Sequence, residues 1–220
     1  MPLIADSLID AGRAHTLFDR FPGYAAALDW VRDFVGRRDP RIMRPGAVCP
    51  RVGNALRTNM VRLVSAHTPA SSLEEAKETG LALIDLFHHQ FRTPQEHRAG
   101  ALLCLFPELD PERAGGFIDE GHRLLRMDFV RRGLMLGEFH PESRVASVHN
   151  PDFVVMRSPV PMFAVRALSL HDLLFLDTPA HPAAVRAEYL TWYLHYLDNQ
   201  LGEESRRRVA ARLDALSPER

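Results

Sequence analysis

The spacing of apolar residues along the chain predicts a series of helices interrupted by short strands. Apolar residues recur every three or four positions over 3–20, 24–36, 71–91, 111–128 and 183–199, so we expect helices there. A short polar helix is expected to follow Gly202 at the C-terminal end. Shorter apolar or β-branched runs predict strands over 60–66, 99–106, 134–139 and 160–168.

Helices mixed with at least four strands favour an α+β fold. We expect a single domain over 1–220, in which a small, mostly antiparallel sheet is flanked by amphipathic helices. Residues 1–36 and 183–216 would form helical flanks. The helix over 183–199 carries an aromatic stripe, for which we consider core packing, a wall against a flat cofactor, and a surface that docks another chain. The stripe consists of Tyr189, Trp192, Tyr193 and Tyr196.

The charge and the apolar runs narrow the classes of partner. The 27 basic and 28 acidic residues give a net charge of −1, so no overall basic field attracts nucleic acid or anionic lipid. No apolar run approaches the about 18 residues that a membrane span needs, and the N-terminus lacks a signal-peptide pattern. Two cysteines, Cys49 and Cys104, do not form a disulfide framework. We therefore predict a cytoplasmic protein without nucleic-acid or membrane partners, and a homodimer is compatible with this composition.

The stretch 133–176 concentrates the residues that are suited to chemistry. Its two predicted strands bracket a polar loop that carries His140, His149 and Arg157. Histidines elsewhere have simpler explanations. The His88-His89 pair places favourable positive charge at a helix C-terminus, and His122 is expected to be a solvated helix residue. We therefore expect the site in this stretch.

Common metal and hydrolase motifs are missing from the sequence. It contains no CxxC or HExxH metal spacing and no GxSxG element of a serine hydrolase. A haem site requires fewer fixed residues than these motifs do. It needs one axial ligand, an apolar pocket, and cations that pair with the two propionates. His140 suits the axial position, because it ends a strand and is held by Pro141.

Several further residues are candidates for binding a haem. Arg157, and with it Arg144 or Arg166, could pair with propionates or with a substrate carboxylate. Cys49 precedes a proline, and a thiolate in that position could ligate haem iron; a small buried thiol is the simpler interpretation.

Two segments carry a resemblance to a known family. They are AVCPRVGNALRTNMVRL, from Ala47, and GEFHPES with RSPVPMFAVRAL, from Gly137 and Arg157. Together they resemble the YqcI/YcgG group of haem-dependent N-oxygenases, in order, over about residues 46–168. His140, Pro141 and Ser143 match the HPxS element of that group, and the arginine-proline stretch follows it. The sequence is most similar to the members that N-hydroxylate L-arginine.

The resemblance implies a haem b with histidine ligation and dioxygen or peroxide as the oxidant, and it leaves the electron donor unnamed. The resemblance implies that the substrate is the amine or guanidine nitrogen of a small metabolite, such as the amino acid arginine. For the distal proton donor of such a reaction our candidate is His149, with His171 behind it. Arg166 would bind the substrate carboxylate, and Glu138 or Asp152 its ammonium group.

Two other interpretations stay open on the sequence alone. The chain could bind or sense haem through His140 without turnover, or it could be a cofactor-free module that docks another chain through 183–199. The sequence also leaves open whether His140 or His149 is the axial ligand.

Overall fold

The computed structural model describes residues 2–216 and has the α+β fold expected from the sequence. Five strands form one sheet in the order β1-β2-β3-β7-β4, and β5 pairs with β6 in a separate hairpin. Strands β1–β2 and β3–β7 are antiparallel, whereas β2 and β3 are parallel. The strands are β1 Ile9–Asp10, β2 Val61–Ser65, β3 Ala101–Leu105, β4 Leu134–Phe139, β5 Ala146–Ser147, β6 Asn150–Val154 and β7 Met162–Ala167.

The helices confirm most of the predicted segments. The N-terminus of the longest helix has the capping box that its sequence indicates, with Ser72 and Glu75 exchanging hydrogen bonds. The helices are α1 Gly23–Trp30, α2 Val52–Arg57, α3 Leu73–Gln90, α4 Pro94–Ala99, α5 Pro111–Ala114, α6 Glu120–Arg131, α7 Leu173–Leu176, α8 Ala183–Leu197 and α9 Glu203–Leu216. No helix within residues 2–216 is long and apolar enough to cross a membrane.

The chain divides into two compact units. The first comprises Met1–Leu125 with Leu136–Arg166, and the second comprises Arg126–Met135 with Ala167–Arg220. In the first unit, one face of the sheet packs against α1 through a core that includes Tyr24, Leu28 and Leu63. Side chains alternate between the faces of a strand, so buried residues such as Cys104 and Phe163 lie on the opposite face.

The second unit is built around α8 and α9. Its core includes Leu190, Tyr189, Tyr193 and Val209. Two members of the aromatic stripe, Tyr189 and Tyr193, are therefore buried, and the Tyr193 hydroxyl donates to the Leu170 carbonyl at 3.0 Å. In this unit Tyr189 and Tyr193 thus serve core packing, whereas Tyr196 is exposed.

The prediction of one helix over 3–20 is wrong. The segment forms short 3₁₀ turns at Ala5–Ser7 and Ala14–Leu17, with the edge strand β1 between them. Ile9 pairs with Leu63 in β2, and the Ile4 N–H donates to the Ser65 carbonyl at 2.9 Å. Backbone pairing with the sheet thus replaces the intrahelical hydrogen bonds that the apolar spacing indicated.

Candidate functional site

Strand β4 places two polar side chains on one face near its end. Glu138 and His140 are two residues apart and so point to the same side, where they are only 7% and 2% exposed. Phe139 between them points to the other side and packs edge-on against Trp30, with ring centroids 5.2 Å apart. Buried polar groups require partners, so the residues that face Glu138 and His140 define the site.

Those partners come from the helical segment before and within α6. A π-helical turn at Gly115–Asp119 leads directly into α6. Asp119 and His122 are three residues apart and share a helix face. His140 Nε2 lies 3.1 Å from Asp119 Oδ1, and His122 Nδ1 lies directly against Glu138 Oε2. Two imidazole–carboxylate pairs thus connect the helix to the strand.

The position of His122 corrects the expectation of a solvated helix residue. The residue is only 5% exposed, and Glu138 on the strand lies opposite its ring. The pairing joins residues sixteen positions apart in sequence, and no local pattern indicates it.

The environment of the His140 ring is asymmetric. Nε2 contacts the Asp119 carboxylate, whereas Nδ1 is closed to solvent and has no hydrogen-bond partner. This arrangement is satisfied by the tautomer in which Nε2–H donates to Asp119 and Nδ1 carries the lone pair. The Asp119 side chain is 41% exposed, so the contact between the ring and the carboxylate is also the place where the site reaches the surface.

The chain returns to His140 after the β5–β6 hairpin, which places Arg157 next to it. The His140 carbonyl accepts from the Ser143 and Ser158 N–H groups, at 3.2 and 3.4 Å. His140 and Arg157 also form a parallel backbone bridge, and Arg157 Nε donates to the Ser143 carbonyl at 3.0 Å. The structure thus places Arg157 beside His140, as an exposed cation that is held by the backbone of the turn after His140.

The structure places the other predicted residues of this unit outside the buried cluster. Arg144 is exposed in the turn after Ser143. His149 is exposed between β5 and β6, where its N–H donates to the Ser147 hydroxyl at 3.2 Å. Asp152 is exposed on β6. The segment predicted as an irregular loop therefore contains a hairpin that carries His149 and Asp152 on its surface.

Three more predicted residues lie on other elements. Cys49 is partly buried, and its N–H donates to the Val35 carbonyl at 2.8 Å. Arg166 is partly buried on β7, where it pairs with Ala101 of β3. His171 belongs to the second unit and is exposed. Asp172, the carboxylate next to it, accepts from the Ser169 N–H and hydroxyl.

The donor chemistry of His140 fits a haem ligand. Histidines that ligate metals usually give their second nitrogen to a carboxylate or carbonyl, and His140 has one nitrogen on Asp119 and one without a partner. Arg144, in the turn that follows, and Arg157, after β6, supply cations nearby in this segment. Among residues 2–216 no group of three or more histidine, cysteine or acidic side chains could hold a bare metal ion. Within these residues His140 thus offers a single imidazole, the number of protein ligands that a haem iron needs on one side, rather than a set of ligands for a bare metal ion.

Access to that imidazole is restricted. Nδ1 is enclosed and Nε2 is covered by Asp119, so a flat porphyrin approaching from solvent meets the carboxylate first. The contact between Asp119 and His140 must break, or the enclosing residues must move, before the ring can bind iron.

Asp119 and His122 are the site residues that the sequence did not point to. Their i, i+3 spacing in the sequence places both side chains on one helix face. It indicates a site only when β4 is known to pack against that face. One further feature of the sequence marks this segment: the pair Gly115-Gly116, which is unfavourable within a helix.

A comparison with known protein families identifies the family of the chain. A family model with the description "Domain of unknown function (DUF6875)" matches residues 24–208. No curated protein and no solved structure matches the chain.

Proposed function

The chain belongs to the family described as "Domain of unknown function (DUF6875)", and we propose that it is a haem-dependent N-oxygenase. The substrate would be the amine or guanidine nitrogen of a small metabolite, with amino acids such as arginine as the first class to test. One observation carries the proposal: His140 is a buried imidazole with a carboxylate on one nitrogen and no partner on the other. The resemblance of the surrounding segments to haem-dependent N-oxygenases supports it.

In this proposal His140 holds the iron, and Arg157 and Arg144 neutralise the propionates. A bound haem would supply the activation of dioxygen or peroxide, while the protein binds the substrate and moves protons. Arg157 is suited to its role because its Nε is fixed by the Ser143 carbonyl, which leaves the terminal nitrogens of the guanidinium for a carboxylate.

Proton delivery and substrate binding fall to more exposed residues. His149 is solvent-accessible on its hairpin and can exchange protons with water, as a proton donor must. His171, the second candidate from the sequence, lies in the second unit and is given no role at His140. Asp152 lies on the same hairpin as His149 and can bind a substrate ammonium group, and Arg166 stays the candidate for the substrate carboxylate. Glu138 is enclosed with His122, so its carboxylate is already engaged.

Turnover is the test of the proposed function. Protein reconstituted with hemin is incubated with a reductant and dioxygen, or with peroxide, together with arginine or a panel of other amino acids. We expect an added oxygen on a substrate nitrogen by mass spectrometry, and a change in the haem spectrum when substrate is added. His140→Ala should abolish product, and His149→Ala should reduce it while haem binding is retained.

Two results would replace the proposed function by another one. A protein that binds hemin but neither changes its spectrum with any amine nor consumes reductant would be a haem-binding or sensing protein. If the protein binds no hemin, the remaining interpretation is a cofactor-free module that docks another chain.

A further inference from the structure

We propose that Asp119 is a positioning residue that controls access to His140, and that the glycine-containing turn before it sets how often Asp119 releases the ring. This inference rests on the proposed function only for the identity of the incoming ligand. It begins from the position of Asp119, which lies between a ring that is 2% exposed and the solvent.

The Asp119 carboxylate holds the ring in one orientation. Its Oδ1 is 3.1 Å from His140 Nε2. Among the described residues, Nδ1 of the ring has no hydrogen-bond partner. While this hydrogen bond persists, the lone pair on Nδ1 faces the interior. Loss of the bond frees the ring to rotate and uncovers Nε2 on the side that faces solvent. From the side that faces solvent, a ligand can therefore reach Nε2 only after Asp119 has moved.

Asp119 ends a turn that is built to open. The π turn Gly115–Asp119 has one residue more per turn than an α-helix would have, and such turns are often found at functional sites. Gly115 and Gly116 lie inside it, where glycine is the weakest helix former apart from proline. The turn therefore opens more easily than a helix of other residues.

Steric constraints do not explain these two glycines. A Cβ at Gly116 would meet nothing within 4 Å, and one at Gly115 would meet only Asp119 Oδ2 at 3.9 Å. Two other glycines of the same packing layer differ. A Cβ at Gly121 would lie 2.9 Å from Ala76 Cβ, and one at Gly80 would clash with Leu125.

The packing at these glycines differs between α6, which is held closely against α3, and the π turn before it, which is not. Gly80 and Gly121 allow α3 and α6 to pack closely, so the start of α6 is anchored. The π turn immediately before α6 has a weak helix propensity, and Gly116 in it makes no close packing contact of that kind. Opening is thus confined to the turn that positions Asp119, while His122 remains on Glu138.

The test follows the turn and the ring separately, in the full chain without hemin. Amide hydrogen exchange of 112–123 reports opening of the turn, and acylation of His140 by diethyl pyrocarbonate, read by peptide mass spectrometry, reports access to the ring. Each alanine at Gly115 or Gly116 should slow exchange by about fivefold, the factor that matches the propensity difference between glycine and alanine. Acylation of His140 should slow in parallel.

Variants of Asp119 and a matched glycine complete the experiment. Asp119→Ala should speed acylation of His140, and Asp119→Asn, which retains an acceptor oxygen, should restore much of the protection. Gly202→Ala is the control, because its Cβ also meets nothing within 4 Å but it lies in the second unit, and it should change neither readout. Unchanged acylation in Asp119→Ala, or in the double alanine variant of the turn, would overturn the proposal.

Hemin is added in a separate arm, so that the two proposals can fail independently. The double alanine variant should bind hemin more slowly than the wild type, and Asp119→Ala faster. If hemin never binds but acylation follows the pattern above, Asp119 still controls the ring and the haem function is wrong. If hemin binds at one rate to all variants and acylation does not vary, the control by Asp119 is wrong.

Discussion

Among single residues, His122 and Glu138 form the buried pair that holds α6 against β4 at the site. Both side chains are at most one tenth exposed, and each is the partner that the other requires. Breaking a buried pair leaves one polar or charged group enclosed without compensation, whereas removing both groups does not. Such pairs are costly to keep in a core, which is a reason to expect them at functional positions.

The first prediction concerns this pair. His122→Ala should lower the free energy of unfolding by about 3–5 kcal/mol, because Glu138 is then left buried without its partner. The double variant His122→Leu/Glu138→Leu should lose much less, since both polar groups are gone. Urea unfolding of the three proteins measures this, and a single variant that is no less stable than the double one would contradict the pairing.

The two cysteines give a second prediction at this scale. Full burial raises the pKa of the Cys104 thiol, so its reactive thiolate is suppressed in the folded protein. Cys49 is only partly buried. Iodoacetamide should therefore modify Cys49 in the native protein and reach Cys104 only after unfolding. In Cys49→Ser the native protein should remain unmodified, and rapid labelling of Cys104 in that variant would show that its burial is wrong.

At the scale of elements, periodicity predicted those helices whose apolar face is continuous. The helices α3 and α8 and the strands β2, β3, β4 and β7 lie close to where the pattern placed them. The N-terminal segment differs, because pairing with β2 outweighs its helical spacing. The hairpin β5–β6 was missed, because its strands are short and its polar residues resemble those of a loop.

The site was predictable only in part, for a related reason. His140 is indicated by its own neighbours, since it ends a strand and precedes a proline. Its contact with Asp119 joins residues 21 positions apart, and such pairing depends on how β4 packs against the π turn. His122 shows the same limit in the opposite direction: helical position suggested exposure, and the strand opposite it determined burial.

Helix α8 provides the prediction for the second unit. Burial, reinforced by Asp172, raises the pKa of Tyr193 to about 12. An unfolded tyrosine titrates near pH 10, so the folded state retains the proton more strongly. This preference leaves stability unchanged below about pH 10 and reduces it as the pH rises from there towards 12, by about 2–3 kcal/mol in all.

Tyr193→Phe tests this linkage. Loss of the hydrogen bond to Leu170 should make the variant about 1 kcal/mol less stable than the wild type at pH 8. The difference should shrink or reverse by pH 11, because the variant has no hydroxyl to ionise there. Urea unfolding at both pH values measures the change. The other tyrosines titrate in both proteins and cancel, so a difference that does not vary with pH would contradict the burial of this hydroxyl.

At the scale of the whole molecule, the near-neutral charge and the family match limit the interpretation. A net charge of −1 gives no overall field that would concentrate a polyanion. The match over 24–208 includes parts of both units, so the family is defined by more than the residues around His140. Any function of the chain must therefore be tested on the full chain rather than on the first unit alone.

The absorption spectrum of the full chain, purified from haem-supplemented cells, tests the central claim most directly. It is recorded oxidised, reduced, and reduced with carbon monoxide, for the wild type, for His140→Ala, and for His149→Ala, which removes the other candidate ligand. We predict a Soret band in the wild type, with a carbon monoxide form typical of histidine rather than thiolate ligation. The band should be weakened or shifted in His140→Ala and retained in His149→Ala. A colourless wild type that binds no added hemin, or a spectrum that is identical in His140→Ala, would contradict the assignment of His140 as the iron ligand.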